Sequence, residues 1–381
     1  MVRQVKIVSG LNWGDEGKGL VTNFFSSDSS VVVLSSNSSQ RGHTVIHNGI
    51  RHVFRHFGSG TLKGAVTYFT GDFLVNPAMF REEYEVLMSF GIKPVVYCRS
   101  SSLIVTPYDM LANQIIEDMR GTNRFSSCGC GAWETRVRNK FGKLKDKITN
   151  FDVELVENYY KNLRLANSGM MQSFCTDMAR YNFENDIKFF TDRVKFIEND
   201  FEEKAFLNKF NNIIFENSQG LLLDTDYNND LDHTTPAHVG AKYPSKIIEK
   251  TFDVNNTSIE NLYVTRSYFT RHGIGALGHG GECAKSNINE FMTDVTNMPN
   301  PWQGSLRYGH ILDSDIVDML KRMTIDTKHL VSIGYNIKPS IVITHLNEYN
   351  NTQLLSAIKQ SKNTLVNNVY SSVDEVNIRK V

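Results

Sequence analysis

The stretch Gln4-Val5-Lys6-Ile7-Val8-Ser9-Gly10-Leu11-Asn12-Trp13-Gly14-Asp15-Glu16-Gly17-Lys18-Gly19 decides the fold class. Gln4 to Ser9 is a short alternating run that ends in Gly10, the pattern of a strand feeding a turn, and Leu20 to Phe25 then opens a helix. Gly14, Gly17 and Gly19, lying between strand and helix, let backbone N–H groups approach an anion closely, and the helix N-terminus adds a favourable dipole. Lys18 supplies a point charge. The loop departs from the standard P-loop: Asn12 stands where a glycine belongs, and Gly19 where the magnesium-binding Ser or Thr belongs. Asp15 is then the natural hard-oxygen ligand for Mg2+. The competing reading is a tight, charged surface turn.

Outward from this loop the same grammar repeats. Val31 to Leu34 is a buried-strand run emptying into the polar stretch Ser35 to Gly42. Pro94 to Tyr97, Asn212 to Phe215, Leu262 to Val264 and Ser340 to Ile343 are further strands, with helical patterns at Tyr108 to Arg120, Val153 to Leu163 and Ser314 to Met323. The expectation is one large α/β unit over residues 1–381 with a helical subdomain at roughly 141–202 and a peripheral tail from Ser371 to Val381.

Composition narrows the function classes. With 41 Lys plus Arg against 41 Asp plus Glu there is no basic surplus of the kind that a nucleic-acid polymer demands. No apolar run approaches the length of a transmembrane span, and the N-terminus lacks a secretory apolar core. The five cysteines are odd in number and scattered, which fits a reduced, cytoplasmic protein (host cytoplasm for a viral chain). Cys128-Gly129-Cys130 is half a metal site with no second Cys/His pair at ligand spacing.

The loop string resembles the WGDEGKGK signature of adenylosuccinate synthetases, enzymes that join L-aspartate to a 6-oxopurine nucleotide with hydrolysis of a nucleoside triphosphate. Gly42-His43-Thr44 followed by His47-Asn48-Gly49 is similar to the family's NAGHT-x-x-x-NG loop, and Ser126-Ser127-Cys128-Gly129-Cys130-Gly131-Ala132 to its TTGxGxGPA loop. Phe215-Glu216-Asn217-Ser218-Gln219-Gly220 to Asp224 resembles EGAQGxxLD, and Thr270-Arg271-His272-Gly273-Ile274-Gly275 resembles TRVGAG. The resemblance covers most of the chain and implies a large central, mostly parallel sheet surrounded by helices, with a P-loop-like phosphate loop.

By this resemblance Asp15 is both magnesium ligand and the base that takes the proton from purine N1, and Gly42 offers its carbonyl to the metal. His43 stabilises charge on O6 and the γ-phosphoryl; read alone, it is a loop or core histidine. Asn12, Trp13, Gly14, Glu16, Gly17, Lys18, Gly19, Gly42 and Thr44, with Thr344, His345 and Asn347, form the implied triphosphate site. Ser126, Ser127, Cys128, Gln219, Thr234 and Thr235 form the implied purine-monophosphate site. Arg136 or Arg138 reaches there from the neighbouring subunit of a homodimer. A plain loop, a strand-end cap at Gln219 and solvated helix charges are the alternatives for these residues. Gly304, Ser305 and Arg307 form the implied aspartate site.

Three departures bear on substrate. The aspartate loop TGRRRRxGW appears as Gln303-Gly304-Ser305-Leu306-Arg307-Tyr308-Gly309, with one arginine in place of four, which is compatible with a 2′-deoxy substrate. The guanine-reading TKLD motif appears as Thr344-His345-Leu346-Asn347, and an amide lacks the paired acceptors that guanine needs, which favours ATP over GTP. The chain is also shorter than typical bacterial members. These features resemble the phage diaminopurine branch, which joins aspartate to dGMP. Asp15 points the other way, because that branch commonly lacks the loop Asp. An IMP-using adenylosuccinate synthetase and a non-catalytic nucleotide sensor stay open.

Overall fold

The computed structural model describes residues 2–35, 40–141, 148–163, 168–227, 233–235, 237–291, 294–362 and 364–381. Positions 36–39 of the expected Ser35 to Gly42 loop, and 142–147 and 164–167 of the expected helical segment, lie outside the described residues.

Ten strands form one sheet. Their order across it is Arg379–Lys380, Val369–Ser371, Ser340–Thr344, Thr257–Arg266, Arg3–Gly10, Asn212–Gly220, Ser30–Leu34, Val66–Phe69, Val96–Arg99 and Val194–Ile197. Neighbours run parallel except at the Val369–Ser371/Arg379–Lys380 edge. Parallel strands are covered on both faces, which is why Val31, Val32 and Val33 form an unbroken apolar run with no exposed surface. The Arg3–Gly10 strand lies at the centre, with Ile7 in register with Phe215 on one side and Asn261 on the other.

The helices close both faces. Pro77–Ser89 packs on Asp177–Thr191 through Phe80 and Phe190, whose rings meet edge to face at 4.8 Å. Pro107–Arg120 begins with a full capping box, Thr106 accepting from the Asp109 amide and Asp109 from the Thr106 amide, which explains its sharp start.

Within 141–202 the described residues form helices at Val153–Asn162, Ser168–Phe174 and Asp177–Thr191. Val156, Tyr160, Phe183 and Phe190 bury in the same cluster as Phe57 and Phe69, and Val194–Ile197 closes the sheet edge. The tail is likewise less peripheral than its polarity suggests: Ile378 is buried, and Asp374 and Glu375 reach the principal cleft.

In such a sheet the crevice beyond the carboxyl ends of the central strands is the natural ligand site. Here those ends release Leu11, Leu221, Ser267 and His345 on one side of the molecule.

Candidate active site

The phosphate loop is held from within. The Asn12 amide donates to Glu16 at 2.6 Å, and Glu16 also takes Lys18 at 3.3 Å, both side chains being buried. Burial pushes the Glu16 carboxyl up against the pull of Lys18 and the loop amides. Glu16 therefore acts as the clamp that closes the loop, and Lys18 is half neutralised before any anion arrives. From below, Arg322 donates to Asn12 at 3.0 Å, and Thr344 donates to the Glu16 carbonyl at 2.8 Å. Trp13 lies under the Arg271 guanidinium, 3.7 Å from its ring centroid, so it supports the loop from beneath.

Asp15 sits at φ 59°, left-handed backbone that Asp tolerates better than most residues. Arg266 holds its carbonyl, and its carboxylate faces His272 at 3.8 Å. The helix Lys18–Phe25 starts at the loop with no acidic residue in its first turn, leaving its N-terminal dipole free for an anion. A Cβ on Gly19 would come within 2.9 Å of the His43 Cβ, so only glycine lets the helix N-terminus meet the histidine.

His43 opens a hairpin of His43–His47 and Ile50–Phe54. Its Nδ1 lies 2.7 Å from Glu216 on the Asn212–Gly220 strand. Glu216 is fully enclosed and also takes Arg41 at 3.2 Å, the Ser59 amide at 2.9 Å and the Ser59 hydroxyl. Burial opposes its ionisation, but Arg41, His43 and Ser59 together hold it down at about 2. Burial holds His43 down to about 4, with Arg41 and Lys18 adding to the effect and Glu216 opposing it. At neutral pH the ring is therefore neutral and donates Nδ1–H to an anionic Glu216, leaving Nε2 for the cleft.

These parts converge on one cavity of about 430 Å³. Of the residues expected from sequence, Asp15, Glu16, Gly17, Lys18, Gly19, Gly42, His43, Thr44, Cys128, Gln219, Thr344, His345 and Asn347 line it. Gln219 takes φ 67° at the sharp strand end, followed by Gly220, where a Cβ would lie 2.2 Å from the Asn12 carbonyl. Burial holds His345 well below its ordinary value, so it is a neutral ring bonded to Thr344 at 2.8 Å.

Other expected residues do not reach the cavity. Arg138 has no exposed surface; it binds Asp109 at 2.9 and 3.1 Å and the Ile104 carbonyl at 2.8 Å, so it cannot extend into a neighbouring subunit. Arg136 turns instead to the Asp72 carbonyl at 3.1 Å. Arg307 is committed to the Gly273 carbonyl at 2.6 Å, the Gly275 carbonyl at 2.8 Å and Glu282 at 3.1 Å, so it shapes the 273–275 loop rather than facing the cleft. Ser126 takes the Ile274 amide at 3.3 Å, and Ser127 donates to Asn113 at 2.8 Å, both just behind the wall. Thr235 pairs with Leu223 at 2.7 Å; Thr234, Gly304 and Ser305 lie outside the lining.

Several lining residues carried no assigned role in the sequence reading: Arg55, Arg266, His272, Asp294, Thr296, Asn300 and Gln303. Arg41, also in the lining, and Glu216 behind it supply the charges that fix His43. Glu216 and His272 lay inside the quoted motifs. An ionisable residue inside a quoted motif was the signal that could have marked them.

The adenylosuccinate synthetase family model matches residues 7–294. The adenylosuccinate synthetase of Borrelia duttonii is 26% identical over 226 residues, covering 58% of this chain and 52% of its own length. That of Desulforamulus reducens is 26% identical over 305 residues, covering 75% and 69%. The match thus spans about half the length of the first of these relatives. Among solved structures, the fully ligated adenylosuccinate synthetase of Plasmodium falciparum superposes with a TM-score of 0.62 at 16% identity, over 90% of this chain and 77% of that one. The cyanophage S-2L succinoaminodeoxyadenylate synthetase, bound to dGMP and dATP, superposes with a TM-score of 0.65 at 13% identity, over 100% and 96%.

Proposed function

Because the chain belongs to the adenylosuccinate synthetase family, we propose that it joins L-aspartate to C6 of a 6-oxopurine nucleoside monophosphate and hydrolyses a nucleoside triphosphate in doing so. The observation that carries this reading is the meeting of Asp15, the Gly17–Gly19 turn, the His43–Glu216 pair and Gln219 on one cavity. A 6-oxo group is a poor leaving group. Removal of the N1 proton by Asp15 moves charge to O6, which attacks the γ-phosphorus and becomes a 6-phosphoryl leaving group. Phosphates beside His43 favour its protonated form, which Glu216 is already placed to hold, and Nε2–H then donates to the charge developing on O6 and the γ-phosphoryl. The aspartate amine displaces phosphate at C6, and O6 leaves with the phosphate.

Asp15 and Gly42 line the same cavity and offer a carboxylate and a carbonyl, the hard oxygen donors that Mg2+ takes. They would hold the ion, and its charge would offset that of the triphosphate.

The finer reading is dGMP with ATP. Asn347 is exposed on the cavity wall, and its amide supplies one acceptor and two donors, a match for the donor and acceptor edge of adenine. Arg307, the single arginine of the aspartate loop, is engaged elsewhere, which leaves the ribose 2′ position without the arginines of the longer members. The cyanophage protein that is bound to dGMP and dATP corresponds to this chain over its whole length. The presence of Asp15 favours the second reading, an IMP enzyme using GTP. Phosphate release from IMP, GMP, dIMP and dGMP, each with ATP or GTP and with aspartate, separates them. Fastest turnover of dGMP with ATP is expected, and turnover confined to IMP with GTP overturns the finer reading. A homodimer remains part of the proposal, and the engagement of Arg138 with Asp109 favours Arg136 as the residue that crosses it.

A further inference from the structure

Five cysteines are present, and two of them differ from the rest in placement. Cys98 is buried, and burial pushes its thiol up to about 12; burial also pushes Cys175 and Cys283 up. Cys128 and Cys130 instead sit two residues apart on the cleft wall, both partly buried and both lining the cavity. Gly129 between them takes φ 77°, and its close approach to Trp302, where a Cβ would meet the ring at 2.8 Å, holds the turn between the two cysteines. The Cys130 Sγ lies 4.0 Å from the Cys128 carbonyl, and the closeness of the two thiols pushes Cys128 down and Cys130 up. The Cys128 Sγ also lies 3.7 Å from Gln40 Oε1, and the Cys128 carbonyl takes Asn300 at 3.3 Å. Attack by a thiol requires its thiolate and access; both thiols line the cavity, and Cys128 is the one shifted toward its thiolate.

We propose that Cys128 and Cys130 form a reactive dithiol in the wall of the nucleotide cleft, which a low-molecular-weight disulfide converts to an internal disulfide that blocks the purine-monophosphate side. The Cys128 thiolate attacks one sulfur of the oxidant RSSR, forming a mixed disulfide and releasing RS⁻. The Cys130 sulfur then attacks Cys128 Sγ, breaks the mixed disulfide and releases the second RS⁻. Protein thiols are oxidised by two electrons, the oxidant becomes two thiols, and the chain loses two hydrogens. The new ring fixes the loop that carries Ser126 and Ser127 and pulls the Cys128 carbonyl against its Asn300 contact. The effect on turnover rests on the ligase reading; the chemistry of the pair does not.

The test treats the full-length chain with oxidised glutathione and reads intact mass and peptide maps alongside phosphate release. The expected result is a mass loss of about 2 Da, mapped to the Cys128–Cys130 peptide and reversed by dithiothreitol. It should be retained in the Cys175→Ser/Cys283→Ser variant, slowed at least about tenfold by saturating purine monophosphate, and changed to a stable glutathione adduct in Cys130→Ser. Glutathione retained on Cys128 with no internal bond, or faster reaction at Cys175 or Cys283, overturns the proposal. If the disulfide forms while no nucleotide combination supports turnover, the ligase reading fails and the dithiol stands.

Discussion

The two sides of the cleft contrast. On the side implied for the triphosphate, Asp15 to Gly19, His43, Thr344, His345 and Asn347 line the cavity, while Asn12, Trp13 and Gly14 lie outside its lining. On the side that carries residues 126–138 and 303–307, only Cys128 of the expected side chains lines it, while Arg138 and Arg307 are absorbed into local structure. The difference is one of mechanism. A loop that binds phosphate through backbone amides and tight glycine turns is specified by consecutive residues. A long arginine binds whatever anion or carbonyl the tertiary fold presents.

The largest expected effect falls on the triphosphate side. Asp15→Asn keeps a residue suited to the left-handed backbone yet removes the base, and turnover should fall by about 10² to 10⁴-fold with an unchanged circular dichroism spectrum. Turnover near wild type would remove Asp15 from the chemistry.

On the opposite side the matching test is Arg138→Met. It strands the buried Asp109 charge, so a loss of about 3–5 kcal/mol in urea unfolding is expected, with little change in the KM for the purine monophosphate of whatever remains folded. A large KM effect at wild-type stability would return Arg138 to the binding site.

The His43–Glu216 pair links charge to pH. His43 is held down to about 4 in the fold, so between its ordinary value of 6.5 and about 4 the unfolded chain binds a proton that the folded chain refuses. Stability therefore falls as pH drops through that window, by about 3 kcal/mol for this group. His43→Asn should show correspondingly less acid sensitivity between pH 6.5 and 4 in denaturant midpoints; equal sensitivity would contradict the assignment. Arg307→Ala is the smallest change, loosening the 273–275 loop by about 1–2 kcal/mol of local hydrogen bonding, read as faster amide exchange there.

Much of this was legible in the sequence. The strands at Val31–Leu34, Ile213–Phe215, Leu262–Val264 and Ser340–Ile343 are buried on both faces, and burial on both faces writes a continuous apolar run, while Gln4–Ser9 shows itself by alternation, with Gln4 exposed and Lys6 part-exposed. Val194–Ile197, at the sheet edge, carries Lys195 exposed and reads as helix flank instead. Glu216 and Arg41 escaped assignment because their roles arise from each other, between residues far apart in the sequence, and not from local pattern. The acidic tail at Asp374 and Glu375 escaped for the same reason.

The central claim is that the cleft transfers the γ-phosphoryl to purine O6 before aspartate arrives at C6. The direct measurement uses a purine monophosphate labelled with ¹⁸O at C6, incubated with ATP and aspartate in unlabelled water, followed by mass analysis of the released phosphate. The label is predicted to appear in phosphate in one-to-one proportion with the succinylated product. Phosphate that carries no label, whether released by plain hydrolysis or beside product, would contradict the account.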